Sequence, residues 1–393
     1  ADATAWIAVA AGALGAMLAT LDISIVNSAL PTIQGEIGAT GTEGTWIATS
    51  FLVAEIIIIP LSAWLERLLG LRTLLIVAVA AFTAFSVLCG IATDLTTMII
   101  GRTGQGFMGG ALIPTAMTIV AKRLPPSQQP IGMALFGMTV VLGPVMGPLV
   151  GGWLTENLSW HYAFFVNVPV CALLLALLFI GLPHEKPDWV YLREADWAGI
   201  VGMILGLGGL TVVLEEGHRE EWFESTLIVQ LTLMTIVGFA LLTYGQLYAR
   251  KPVLKLRLML SRQFASVVVM ALALGMVMYG STYVIPQFLA IISDYNALQT
   301  GLVIFWMGVP AFLLMPVLPF MIRRIHIRIA VGVGMFIMAL SCFVSINLTA
   351  ESGGGVFTES QFLRGIGMIL TMMFLNQATV ASVAKEDAGD ASG

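Results

Sequence analysis

Four ionisable residues lie inside otherwise apolar stretches of this chain: Asp22, Glu55, Arg102 and Arg364. The first sits in "LATLDISIVNSALP" (18–31), one carboxylate among residues suited to lipid or a dry core. A charge in hydrocarbon is costly, so such residues face a cavity or one another and mark an ion or substrate path. Counting about 1.5 Å per residue from the predicted helix ends puts Asp22 roughly 13 Å, Arg102 roughly 12 Å, Glu55 roughly 16 Å and Arg364 roughly 12 Å deep. All four can share one layer. The chemistry on offer is passage of an ion or a substrate. The competing reading is a static Asp22–Arg102 pair that only fixes helix register.

Composition says what must position these groups. Hydrophobic residues make up 58% of the 393 residues and charged residues 10%, against roughly a quarter charged in soluble chains. The chain is therefore an integral membrane protein. A net charge of −5 gives no basic footprint for nucleic acid. Residues 1–5 lack the basic start of a signal peptide. Cys89, Cys171 and Cys342 are far apart in apolar runs and read as packing residues, with neither a disulfide framework nor metal spacing. "GQGFMG" (104–109) formally matches a dinucleotide fingerprint but lies inside a membrane run with no preceding strand. No Walker A sequence, second zincin histidine or G-x-S-x-G is present. No enzyme, cofactor or metal centre is expected.

Twelve runs are long enough to cross a bilayer as helices: about 6–29, 44–63, 72–92, 95–121, 131–154, 162–182, 197–215, 225–248, 264–292, 298–321, 329–348 and 356–382. With the N-terminus cytoplasmic, every Lys and Arg except Arg102, Arg219 and Arg364 falls on inner connections, a clear positive-inside bias. A polar linker, "PHEKPDWVYLREAD" (183–196), follows the sixth run, and an acidic outer segment, "EEGHREEWFES" (215–225), joins the seventh to the eighth. The fourth and tenth runs echo each other, "RTGQG" from Arg102 and "RGIG" from Arg364, as repeated transporter halves do. The expected organisation is a six-helix bundle over 1–182, a linker and inserted hairpin over 183–250, and a second bundle of four spans over 251–393.

"GPVMGPLVGG" (143–152) places Gly143, Gly147 and Gly151 on one helix face, with Gly152 beside them, and adds Pro144 and Pro148. Small residues at this spacing let membrane helices approach closely, and each proline removes a backbone donor. Such a seam suits either ordinary packing or the rocking of two bundles.

These motifs resemble the major facilitator superfamily, in particular its fourteen-span drug:proton antiporters of the EmrB/QacA type. The resemblance runs nearly end to end and rests on "LDISIVNSALP", "GRTGQGFMGGAL", "GPVMGPLVGGWL" and "SWHYAFFVNVP" (159–169). "EGTWIATSFLVAEIIIIP" (43–60) and the acidic outer segment look closest to EmrB. One departure stands out. The family loop after the second span reads G-x-L-x-D-R-x-G-R-K, whereas "AWLERLLGLR" (63–72) has Ala63 for the first Gly and Arg67 for the Asp, with Glu66 as a substitute acid. The resemblance also implies two further helices beyond the twelve runs.

What the resemblance implies is proton-coupled multidrug efflux by alternating access, in a multi-pass protein of the bacterial inner membrane. Asp22, with Arg102, becomes the coupling acid; Glu55 is its rival, or else a charge that attracts cationic drugs. The seam at Gly143, Pro144, Gly147, Pro148, Gly151 and Gly152 becomes the conformational motif. Candidate cavity residues are Asn27, Phe136, Met138, Met276, Tyr279, Phe288, Phe305 and Arg364, because Met and aromatic side chains adapt to varied apolar ligands. Expected partners are amphipathic drugs, protons, lipid and an EmrA-like periplasmic adaptor leading to an outer-membrane channel. A major facilitator transporter of one specific metabolite is the alternative.

Overall fold

The computed structural model describes residues 2–249, 252–254, 256–314, 317–349 and 351–382, and among them it is helical without strands. The first half contains α1 (Ala3–Glu36), α2 (Trp46–Leu69), α3 (Leu71–Gly90), α4 (Leu95–Gly109), α5 (Leu112–Arg123), α6 (Gln129–Asn157) and α7 (Asn167–Gly181). A hairpin follows, α8 (Trp197–Glu216) and α9 (Thr226–Tyr248). The remainder is α10 (Arg262–Ile292), α11 (Ala297–Leu314), α12 (Leu318–Arg324), α13 (Ile327–Val344) and α14 (Phe357–Ala381).

Among the described residues nine helices are long and apolar enough to span a membrane, fewer than the twelve runs read from sequence. The other three runs are helical but interrupted or diluted. The run at 95–121 breaks at Gly110–Ala111 into α4 and α5, and that at 298–321 divides into α11 and α12. The last, α14, is diluted by Glu359, Gln361, Arg364, Asn376 and Gln377. The chain is a multi-pass membrane protein.

Sequence chemistry sets several of the helix ends. Asp94 caps α4 by accepting from the Thr97 N–H at 2.9 Å. That bond and one from the Thr97 hydroxyl hold the Asp94 carboxyl below its ordinary range. Gly70, at φ +81°, turns α2 into α3, a conformation that costs glycine little. Glu185, from the polar linker, accepts from the Leu71 N–H at 2.7 Å and so caps α3. Glu66 binds Lys122 at 2.5 Å. The loop that departs from the family pattern is thus held by two acids, neither of them at position 67.

Two large apolar clusters form. One gathers residues of α1, α3, α5, α6 and α7, including Leu18, Phe82, Leu112, Phe136 and Leu174. The other gathers Ala134, Val141 and Val145 of α6 with residues of α10, α11, α13 and α14. Helix α6 belongs to both, and its glycines explain how. A Cβ on Gly143, Gly147 or Gly151 would run into Thr20, Ser24 or Ser28 of α1. From the other side, Gly308 of α11 lies against Val145 and Gly301 against the Pro148–Leu149 backbone. Helix α6 is clasped between small residues of both clusters and stays helical through Pro144 and Pro148.

The hairpin is tied to α2. Gly202 and Gly238 bring the α8 and α9 backbones together. Ile200 and Met203 of α8 and Leu242 of α9 join Ile57, Ile58 and Leu61 of α2 in a smaller apolar cluster. At the acidic end, buried Glu216 accepts from the Thr49 hydroxyl at 2.7 Å. Arg219 reaches both Glu216, at 2.7 Å, and the Thr45 hydroxyl.

Candidate functional site

Asp22 and Arg102 meet. Their side chains are 0% and 1% exposed, with Arg102 Nη1 2.7 Å from Asp22 Oδ2. Helix geometry makes this compatible with the α1–α6 seam. Thr20, Ser24 and Ser28 lie at four-residue spacing on one face of α1, and Asp22, two residues on from Thr20, points to the opposite side. One helix therefore serves a close seam and a buried charge together.

The pair sits in a buried polar network, in which Asn167 Oδ1 is left without a partner among the described residues. Arg102 Nη1 also donates to Gln105 Oε1 at 2.9 Å, and its Nε donates to the Ile47 carbonyl at 3.3 Å. Its guanidinium lies over the Phe51 ring, 4.2 Å from the centroid, an arrangement that favours a cation. Asp22 Oδ1 accepts from Asn167 Nδ2 at 2.6 Å and from Gln105 Nε2 at 3.3 Å. Ser86 Oγ accepts from the same two amides, at 2.8 Å from Gln105 and 3.3 Å from Asn167. The Cys89 thiol donates to Gln105 Oε1 at 3.4 Å. Groups from α1, α2, α3, α4 and α7 thus converge on the ion pair and its immediate partners. Buried charges persist only where such partners surround them.

The glycines of "GRTGQGFMGG" permit that convergence. A Cβ on Gly101 or Gly104 would collide with Cys89 or the Phe85 ring of α3, and one on Gly106 with the Phe51 carbonyl of α2. The formal dinucleotide fingerprint is therefore a packing device: its glycines let α3 and α2 approach α4 closely enough to seat Arg102.

Glu55 stands differently. It is 9% exposed, lies within electrostatic reach of Arg102 and Asp22, and has no hydrogen-bond or ion-pair partner among the described residues. Its Cγ lies against Gly110, at the break between α4 and α5. Arg364 is 3% exposed and donates to Gln361 Oε1 at 3.0 Å, while its Nε has no partner. The Arg102/Arg364 echo is thus partial. Each arginine binds a glutamine three residues away, and Gly365 meets the Met307 carbonyl much as Gly106 meets that of Phe51. Of the two, only Arg102 has a carboxylate partner among the described residues.

The remaining candidates scatter. Met276 and Tyr279 are 70% and 72% exposed. Met138, Phe288 and Phe305 are half-buried, Phe288 stacking edgewise on Phe357 at 5.7 Å and Phe305 packing on the second large cluster. Phe136 is 2% exposed in the first cluster and acts there as a core residue. Asn27 is exposed, and its side chain makes no hydrogen bond among the described residues. The asparagine that reaches Asp22 is Asn167, joined by Gln105 and Ser86, and sequence reasoning assigned none of the three. The available signal was an amide or hydroxyl stranded in an apolar run.

Removing one partner of a buried pair costs about 3–5 kcal/mol because the other charge is left uncompensated. Arg102→Ala should therefore lower the unfolding midpoint in mild detergent sharply. Adding Asp22→Asn should recover part of the loss, by about 1 kcal/mol or more. A double variant no more stable than the sum of the single losses would show that the two charges are not coupled.

The family model for the Major Facilitator Superfamily matches residues 12–393. The colistin resistance protein EmrB of Acinetobacter baumannii is 32% identical over 390 residues, covering 99% of this chain and 76% of that protein. The multidrug export protein EmrB of Escherichia coli K12 is 31% identical over 382 residues, covering 96% and 74%. The fatty acid resistance protein FarB of Neisseria gonorrhoeae is 31% identical over 379 residues, again covering 96% and 74%. Among solved structures, the human organic anion transporter MFSD10 aligns with a TM-score of 0.66 at 16% identity, covering 100% of this chain and 89% of that one. The proton:xylose symporter XylE aligns at 0.64 and 14%, covering 99% and 84%; these two establish the fold. Fold, buried network and relatives agree: the chain belongs to the major facilitator superfamily, in its EmrB-type group.

Proposed function

We propose that this protein is a proton-coupled exporter of amphipathic compounds that works by alternating access. The observation carrying the proposal is the Asp22–Arg102 pair, wholly buried and ringed by Gln105, Asn167 and Ser86. While the pair is closed, the guanidinium compensates the carboxylate. When a shift of α1 against α4 within the first half parts them, the carboxylate is left in a poorly solvated site and sheds its charge by binding a proton. Reclosing expels that proton. One positive charge moving inward through 100 mV supplies about 2.3 kcal/mol, roughly a 50-fold gradient of an exported neutral solute.

The relatives named for multidrug export, colistin resistance and fatty acid resistance support efflux as the direction of transport. Lys and Arg on the connections following α2, α5, α7, α9 and α12 support a cytoplasmic N-terminus in the bacterial inner membrane. The α6 surface at Val145 and Pro148–Leu149, met by Gly308 and Gly301 of α11, is where the halves over 1–182 and 251–393 rock, while the glycine row fixes α6 to α1 and the hairpin of 183–250 is carried by α2. Its acidic end, anchored through Glu216 and Arg219, is the docking point for an EmrA-like periplasmic adaptor and, through it, an outer-membrane channel.

In proteoliposomes, Asp22→Asn should abolish efflux of a neutral substrate driven by a proton gradient while leaving substrate binding near wild type, since Asn is nearly isosteric with the protonated acid. Full gradient-driven efflux by Asp22→Asn would refute Asp22 as the coupling residue.

For the adaptor, co-purification from native membranes in mild detergent should recover a periplasmic partner with the wild type and lose it with Arg219→Glu. Retention of the partner by Arg219→Glu would move the docking point elsewhere.

A further inference from the structure

The second half carries a groove that neither the Asp22–Arg102 pair nor the glycine seam uses. It lies between α11 and α14, has a volume of about 350 Å³, and is lined by Trp306, Thr358, Glu359, Phe362 and Leu363. Helix geometry explains why it is open. Ser360, Gln361 and Arg364 are buried, and two residues further along that side Gly367 meets Met338 of α13. Thr358, Glu359, Phe362 and Leu363 lie at one- and three-residue steps and so share the other face of α14, where they are half-buried or exposed. Trp306 of α11 borders the same groove at 44% exposure.

The groove has a polar end and an apolar end. The starts of α11 and α14 lie together, because the Gly354 N–H donates to Tyr295 Oη at 2.9 Å and the Ser293 hydroxyl to the Ser352 carbonyl at 3.1 Å. Counting about 1.5 Å per residue from those starts puts Glu359 roughly 3 Å, Phe362 and Leu363 roughly 8 Å and Trp306 roughly 13 Å deep. Glu359 therefore lies at headgroup level, and the other three lie in the hydrocarbon. The Glu359 carboxylate has no hydrogen-bond or ion-pair partner among the described residues. Arg364, the one cation in α14, sits on the buried face and donates to Gln361 at 3.0 Å.

We propose that this groove holds an aminophospholipid, with its ethanolamine ammonium on Glu359 and one acyl chain along Phe362, Leu363 and Trp306. An ammonium that keeps its N–H groups makes a charge-assisted hydrogen bond to a carboxylate. A quaternary choline head has no N–H to give, and the aromatic faces that would attract it lie below headgroup level. An acidic head without an amine would meet the Glu359 charge and be repelled. The leaflet concerned is the one away from Arg324 and Arg328, which lie at the other end of α13.

The test is tryptophan fluorescence of the full chain in phosphatidylcholine vesicles, titrated with lipids whose brominated acyl chains quench an indole on contact. The quenching lost in Trp306→Phe, which keeps a ring in the groove, is that of Trp306. Brominated phosphatidylethanolamine should quench this component at about tenfold lower mole fraction than brominated phosphatidylcholine. Its N-methyl and N,N-dimethyl forms, which retain an N–H, should act like phosphatidylethanolamine. Glu359→Gln should remove most of the preference. Equal quenching by the ethanolamine and choline lipids in the wild type overturns the proposal, as does an undiminished preference in folded Glu359→Gln. If Glu359→Gln yields no folded protein, the wild-type methyl series decides: a preference already lost at the first methyl, with N–H groups still present, overturns it. No proton gradient or transported solute enters this experiment, so its outcome is independent of the transport test of Asp22.

Discussion

An ion pair that water cannot reach governs the first half of this molecule. Asp22 and Arg102 could not remain charged at 0% and 1% exposure unless each were compensated on every side. That requirement accounts for residues that otherwise look unrelated. Gly101 and Gly104 admit α3, which brings Ser86 and Cys89, and Gly106 admits the α2 backbone, which brings Phe51 and the Ile47 carbonyl. Helix α7 enters with Asn167. Tight helix packing and charge burial here are one problem with one solution.

The same helix that carries Asp22 carries the seam. With its small residues in the α6 glycine row and its acid on the opposite face, α1 cannot slide along α6 without disturbing the network around Arg102. The ion pair and the seam therefore share one rigid element, the arrangement that the proposed proton coupling would use. Helix α6 continues the path, since Val145 and the Pro148–Leu149 backbone lie against Gly308 and Gly301 of α11. Helix α2 adds a branch: it supplies Phe51 and Glu55 to the centre while Thr45 and Thr49 hold the hairpin through Arg219 and Glu216.

Much of this was legible in the sequence because bilayers restrict the choices. Long apolar runs must be helices, and glycines at four-residue spacing predict a close seam, found against Thr20, Ser24 and Ser28. The pairing of Asp22 with Arg102 followed from matching depths. Other features were hidden. The break at Gly110–Ala111 was read as one continuous span, because glycines in an apolar run do not announce which of them ends a helix. Asn27 is among the expected cavity residues, yet five residues along α1 turn it away from Asp22 and leave it exposed, whereas Asn167 reaches the carboxylate from another helix. Phe136 was placed in a cavity by residue type alone, whereas its register on α6 points it into the core. Which way a helix rotates is decided by its neighbours, and one sequence without partners does not display them.

The central claim is that Asp22, and no other acid, takes up and releases the coupled proton. Difference infrared spectroscopy of the protein in lipid, recorded across an acidification step, reads protonated carboxyl groups directly. The account predicts a carboxylic acid C=O band that is present in the wild type and in Glu55→Gln and absent in Asp22→Asn. A band that persists in Asp22→Asn and vanishes in Glu55→Gln would contradict it.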